Sequence, residues 1–157
     1  YDGRVRLVLP LTFGLATADQ VVTATVRYQA CSATDCLPPT ALRLQLIVLY
    51  QDAKRWPDAY TAIKKWIAEA PKFNKAQYQL GRLAAESGRY LEEGEAALRV
   101  YLTMPRGSDD PKPQNARYRL GQVLAKAGRK DEARAEFQAA LKLDPKMKEA
   151  KEALAAL

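Results

Sequence analysis

Two side chains in this sequence could carry covalent chemistry, the thiols of Cys31 and Cys36. With four residues between them they can close a small loop. Exchange would need one thiolate exposed enough to attack another disulfide through a mixed intermediate. The same pair read blandly is an inert bridge clamping a hairpin. The chain contains no His, which removes the usual general base and most zinc geometries, and two cysteines alone make half of a structural zinc site. There is also no Gly-rich phosphate loop, no metal-ligating cluster and no nucleophile set beside a base after residue 50. Thiol–disulfide exchange at Cys31 and Cys36 is therefore the one reaction these residues could support. Whether the protein is an enzyme stays open at this point, and no cofactor or metal is expected.

The flanks of the pair are informative. Tyr28-Gln-Ala-Cys31-Ser-Ala-Thr-Asp-Cys36-Leu-Pro-Pro39 resembles the redox motif of the N-terminal periplasmic domain of the thiol:disulfide interchange protein DsbD family. Tyr28, Gln29, Cys31, Cys36, Pro38 and Pro39 match it residue by residue, and Gly3, Leu9 and Pro10 fit the preceding strand. The resemblance covers about a third of the chain and lacks the first half of that domain, including the loop that caps the disulfide. It implies part of an immunoglobulin-like sandwich, a periplasmic or otherwise extracytoplasmic location, and a thioredoxin-like redox partner.

Stepping outward from the cysteines, Arg4-Val-Arg-Leu-Val-Leu9 and Val21-Val-Thr-Ala-Thr-Val-Arg-Tyr28 are β-branched with period-two alternation, which predicts strands. Residues 14–20 read as their connecting loop, and Pro10 as a mark of an edge or interrupted strand. Two strands cannot make a core alone.

Beyond residue 45 the pattern changes. Ala76-Gln-Tyr-Gln-Leu-Gly81 and Ala116-Arg-Tyr-Arg-Leu-Gly121 are two copies of one motif, each opening a helical hairpin. Leu120, Gly121, Gly128, Ala133, Phe137, Ala140 and Pro145 fall at the offsets of the tetratricopeptide repeat, which these segments resemble. Small Gly and Ala let antiparallel helices approach, Gly128 supplies a left-handed turn residue and Pro145 stops the second helix. Leu46, Ile47 and Trp56 stand one repeat period before Leu80, Gly81 and Tyr90. Residues 41–53 are then the first helix of repeat one and Trp56 begins the second, closed by Pro71, although alternation over 40–48 leaves a strand at Leu42 to Leu44 open. In repeat one Ile47 replaces the family's Gly and Trp66 a small Ala. Repeat two carries one residue too many between Tyr90 and Gly94, so a wider turn or slipped helix should follow. Residues 103–114, rich in Pro, Gly and Asp, read as an exposed loop, and residues 146–157 as a capping helix with Met147, Ala150 and Leu154 on one stripe.

The expected fold is thus mainly α, a solenoid of about three hairpins plus a cap over residues 46–157, preceded by a small β piece over 1–45, with the junction within 40–49. An apolar fraction of 48% with only 8% aromatic residues suits a helical repeat array. No run of 18 or more apolar residues occurs, so no membrane span is expected. Tyr1 is not preceded by the leader of a signal peptide, and we expect it not to be the natural start. Of the net charge of +7, the part beyond residue 50 comes from 21 Lys and Arg against 15 Asp and Glu. Their alternating signs point to solvated faces rather than to a nucleic-acid surface.

Family resemblance implies a protein–protein interaction scaffold whose first helices bind a partner peptide. Carried over residue by residue, the groove positions are Lys75, Tyr78, Arg82 and Glu86 in repeat two, and Asn115, Tyr118, Gln122 and Lys126 in repeat three. For Tyr78 and Tyr118, packing between helices is an equal reading, and Arg82 and Lys126 read as solvated charges as well as contacts. One subclass clamps a C-terminal carboxylate with Lys, Asn and Arg. Here Leu44, Val48 and Gln79 occupy three of those positions, with Asn115 and Arg119 at the others, so that capture mode is not expected.

Overall fold

The computed structural model describes residues 4–15, 18–29 and 39–157, with side chains from Leu44 onward apart from Gln45. It divides into two compact units, Tyr1–Leu42 and Arg43–Leu157. Cys31 and Cys36, and with them the exchange motif, lie outside the described residues.

In the first unit β1 (Arg4–Leu15) and β2 (Ala18–Gln29) form an antiparallel hairpin, in register from Arg4↔Gln29 to Leu15↔Ala18. The strands run further than the expected loop at 14–20 allows, because the pairing continues through Gly14↔Asp19. Pro10 lies within β1, opposite Thr23. A proline is tolerated where a strand has a partner on one side only. Two strands are one sheet, not a sandwich, and no other strand exists among the described residues.

Seven helices follow: α1 (Pro39–Asp52), α2 (Trp56–Glu69), α3 (Asn74–Ser87), α4 (Leu91–Thr103), α5 (Pro113–Lys126), α6 (Lys130–Leu143) and α7 (Lys148–Ala155). The alternation at 40–48 belongs to α1, so Leu42 to Leu44 are helical. Helix starts follow local chemistry. Pro57 and Pro113 occupy first-turn positions whose N–H groups have no intrahelical acceptor, and Asp58, Glu92, Glu93, Asp131 and Glu132 put negative charge at the positive ends of their helices. Helix ends follow it too, since α2 and α6 stop just before Pro71 and Pro145.

The second and third hairpins each close on a tight contact. In repeat three a Cβ on Gly121 would lie 2.5 Å from Phe137 Cε1, and in repeat two a Cβ on Gly81 would lie 2.1 Å from Leu98 Cγ. Repeat two also carries the extra residue expected between Tyr90 and Gly94. It is absorbed in the turn, where Gly88 and Tyr90 both take left-handed conformations, at φ 71° and 56°. Tyr90 is fixed there by stacking on Tyr60, with ring centroids 4.0 Å apart. In repeat one Ile47 and Trp66 are fully buried, so the large residues fill the space that small ones leave elsewhere. Trp66 packs on Phe73, at 5.1 Å, just ahead of α3.

Core residues fall into two clusters. One joins Ile47, Ile63, Trp66, Leu80 and Leu83, and the other joins Tyr78, Leu98, Tyr101, Leu120, Leu124 and Phe137, with Leu154 and Leu157 packed against it. Stability in such an array is a sum over neighbouring interfaces. Ala150 is buried while Met147 and Leu154 are half-buried, so the predicted stripe of α7 faces the array.

Candidate functional site

The structure places Lys75, Tyr78, Arg82 and Glu86 on α3, and Asn115, Tyr118, Gln122 and Lys126 on α5. Helix α3 packs directly along α5, whereas α4 meets no other second helix to a comparable extent. The eight residues sit on these two adjoining first helices, in two neighbourhoods.

The first neighbourhood is at the start of the two helices, where Tyr78, Gln114 and Asn115 line an open cleft of about 540 Å³ together with Asp109, Asp110, Pro111, Lys112 and Asp144. Its wall is the connection between α4 and α5. Read from the sequence as an exposed loop, this connection is exposed over residues 105–109, but Asp110 turns inward and its side chain keeps only 9% exposure. Asn74 Nδ2 and the Gly107 N–H each donate to Asp110 Oδ2 at 2.7 Å, and Lys75 Nζ lies 3.9 Å from Oδ1. Asn74 also donates to the Pro105 carbonyl at 2.9 Å. From the other side the Tyr101 hydroxyl donates to the Pro111 carbonyl. Burial, and next the negative charge of Asp110, push the Tyr101 phenol up to about 12. The loop is thus tied to α3 and α4, and Lys75 is engaged by Asp110.

Tyr78 is buried and tilted against Tyr101 at 5.4 Å, so packing takes most of its surface and leaves one edge to the cleft. Tyr118 is half-buried, tilted against Phe137 at 5.8 Å, and its hydroxyl accepts from Gln122 Nε2 at 2.9 Å.

The second neighbourhood lies further along the same helices. Arg82 Nε donates to Glu86 Oε1 at 2.8 Å, Arg119 Nη2 approaches the same oxygen at 3.3 Å, and Lys126 Nζ donates to the Glu86 backbone carbonyl at 3.2 Å. Arg119 Nη1 also donates to Gln122 Oε1 at 3.1 Å. Both arginines are accordingly paired and about three-quarters buried, where the sequence reading had Arg82 as a solvated charge or a contact. The repeat offsets give Arg119 only a carboxylate-clamp position, and no offset points to Asp110. The signal for Asp110 was present in the 40-residue spacing of Leu80 and Leu120, since a lengthened connection in a packed array must be anchored somewhere.

Among the described residues no group of acidic, Cys or His side chains could hold a metal ion, and no helix is long and apolar enough to cross a membrane. Around α3 and α5 the described residues form an array of hydrogen-bonding and charged groups.

Comparison with known families gives two matches, both to the tetratricopeptide repeat, over residues 44–111 and residues 114–147. Neither reaches the N-terminal segment, where the interchange-protein resemblance rests on its own residues. No curated protein matches the chain.

Proposed function

We propose, for a chain whose helical unit belongs to the tetratricopeptide repeat family, that α3 and α5 bind an extended segment of a partner protein. The observation that carries this reading is the open cleft where Tyr78 and Asn115, two groove positions on successive first helices, stand on one wall system with the anchored 105–112 connection. Arg82, Glu86, Tyr118, Gln122 and Lys126 continue the same surface. A segment lying across both helices would exchange water for the Asn115 and Gln122 amides and cover the exposed edges of the tyrosines, a mode in which a few central residues dominate the affinity. A test starts with peptides selected from a random display library against the protein. Asn115→Ala and Gln122→Ala should each weaken a selected peptide several-fold, while Lys65→Ala and Lys142→Ala, on second helices, should leave it unchanged. Equal losses at all four sites would refute the assignment.

A second reading concerns Cys31 and Cys36, and Tyr28-Gln29 and Leu37-Pro38-Pro39 support it. In this reading the N-terminal segment derives from an immunoglobulin-like interchange domain, works outside the cytoplasm, and exchanges its disulfide with a thioredoxin-like partner that the repeats help to recruit. The Cys31 thiolate would attack the partner's disulfide, forming a mixed disulfide and releasing one partner thiolate; Cys36 would then displace the partner and leave a Cys31–Cys36 bridge. Cys36→Ser should trap the mixed species with an oxidised thioredoxin-like protein on a non-reducing gel. If no adduct forms while the wild-type bridge resists glutathione, the pair is structural.

A further inference from the structure

The charges around Glu86 identify the kind of segment the groove takes. Resting on the groove reading above, we propose that the partner segment is acidic and that its carboxylates are received by Arg82, Arg119 and Lys126.

One carboxylate is shared there among three cations. Glu86 Oε1 serves both Arg82 and Arg119, at 2.8 and 3.3 Å, and among the described residues Lys126 donates to the Glu86 backbone carbonyl. A guanidinium carries five N–H donors in a planar fork, so a single carboxylate oxygen leaves most of the donors of two arginines unused. About a quarter of each arginine side chain remains exposed, and Lys126 is exposed. The cluster keeps a net excess of two positive charges, whereas the cleft at the start of the helices carries Asp109, Asp110 and Asp144 beside Lys112, so the segment's carboxylates belong at the Glu86 end.

Arg119 is also held in place for recognition. Its guanidinium lies 5.8 Å from the centre of the Tyr118 ring, its Nη1 donates to Gln122, and Gln122 in turn donates to the Tyr118 hydroxyl. Ordering a free arginine side chain opposes binding, and here that cost is met before the partner arrives. Glu86 then acts as an internal stand-in for the partner's acid: it holds the two guanidinium groups at spacing suited to a carboxylate and is itself the competitor an incoming carboxylate faces.

The experiment uses the full chain and three labelled peptides of equal length, alternating Glu/Ala, Gln/Ala and Lys/Ala, followed by fluorescence anisotropy at low and physiological salt, with a labelled single-stranded oligothymidine as a fourth probe. The Glu/Ala peptide should bind best, and its affinity should fall as salt rises. Arg119→Gln and Lys126→Gln should each weaken it about threefold to fivefold, as for removal of one partly exposed ion pair, and Lys65→Gln should not. Glu86→Gln should tighten it, whereas a merely structural Glu86 would leave affinity unchanged or lower it. Equal binding of Glu/Ala and Gln/Ala peptides, with Asn115→Ala still weakening both, would overturn the acidic assignment while leaving the groove intact. Stronger binding of the oligonucleotide, or a Glu/Ala preference left unchanged by both Arg119→Gln and Lys126→Gln, would overturn it as well.

Discussion

Gly121 has no room for a side chain, because a Cβ there would sit inside the Phe137 ring envelope. Gly121→Leu should therefore cost about 1 to 3 kcal/mol by overpacking, read as a large fall in melting temperature. Arg129→Ala should cost less, although Arg129 is more than the lone surface charge its position suggested: its Nε and Nη2 pair with Glu132 and its Nη1 reaches Glu95 on α4, tying repeat three to repeat two. The hydrogen bonds from Arg129 hold the Glu132 carboxyl below the usual carboxylate range. Equal melting temperatures for the two variants would contradict the register. Lys54 gives a complementary prediction. It stands where Gly88 and Gly128 stand in the other turns, yet holds φ 55° with a side chain attached. That conformation costs a non-glycine residue about 1 to 2 kcal/mol, so Lys54→Gly should raise the melting temperature and Gly128→Lys should lower it. Tyr101 sets a pH limit. The folded protein holds the phenol proton up to about 12, against an ordinary value of 10.0, so stability is intact below pH 10 and falls as pH rises through that window. Tyr101→Phe should flatten that part of an alkaline stability profile.

At the scale of elements, the connection between α4 and α5 depends on one carboxylate. Asp110→Ala would leave Asn74 and the Gly107 N–H without their shared acceptor, and loss of these charge-assisted bonds should cost about 1 to 3 kcal/mol, with faster amide exchange over residues 105–112. Unchanged exchange there would show that Tyr101 and the Pro105 carbonyl contact hold the loop alone. The same element shows where the sequence was readable. Pro71, Gly88, Gly128 and Pro145 act through their own backbone geometry, so the ends of α2, α3, α5 and α6 were legible from local residues. The inward turn of Asp110 depends on Asn74 and Lys75, more than thirty residues away, and composition alone reads such a stretch as solvent-facing. The α1 region was ambiguous for a related reason, since a short apolar run cannot settle its own period. Of the candidate site, the helices that carry it were legible through the repeat offsets, while the sharing of Glu86 by Arg82 and Arg119 joins two helices and has no signature in either.

At the scale of the molecule, the helical unit is held by contacts between successive helices, and each core cluster draws on adjoining repeats. Residues 44–157 expressed alone should therefore give a strongly helical circular dichroism spectrum and one cooperative melt; a β signature or a non-cooperative transition would contradict this organisation. The central proposal is that α3 and α5 receive a partner segment, and amide hydrogen exchange on the full chain with and without a tightly bound selected peptide tests it most directly. The account predicts added protection concentrated in residues 74–87 and 113–126, together with the 105–112 connection, and little change in α2 and α6. Protection confined to the second helices, or to the N-terminal hairpin, would contradict it.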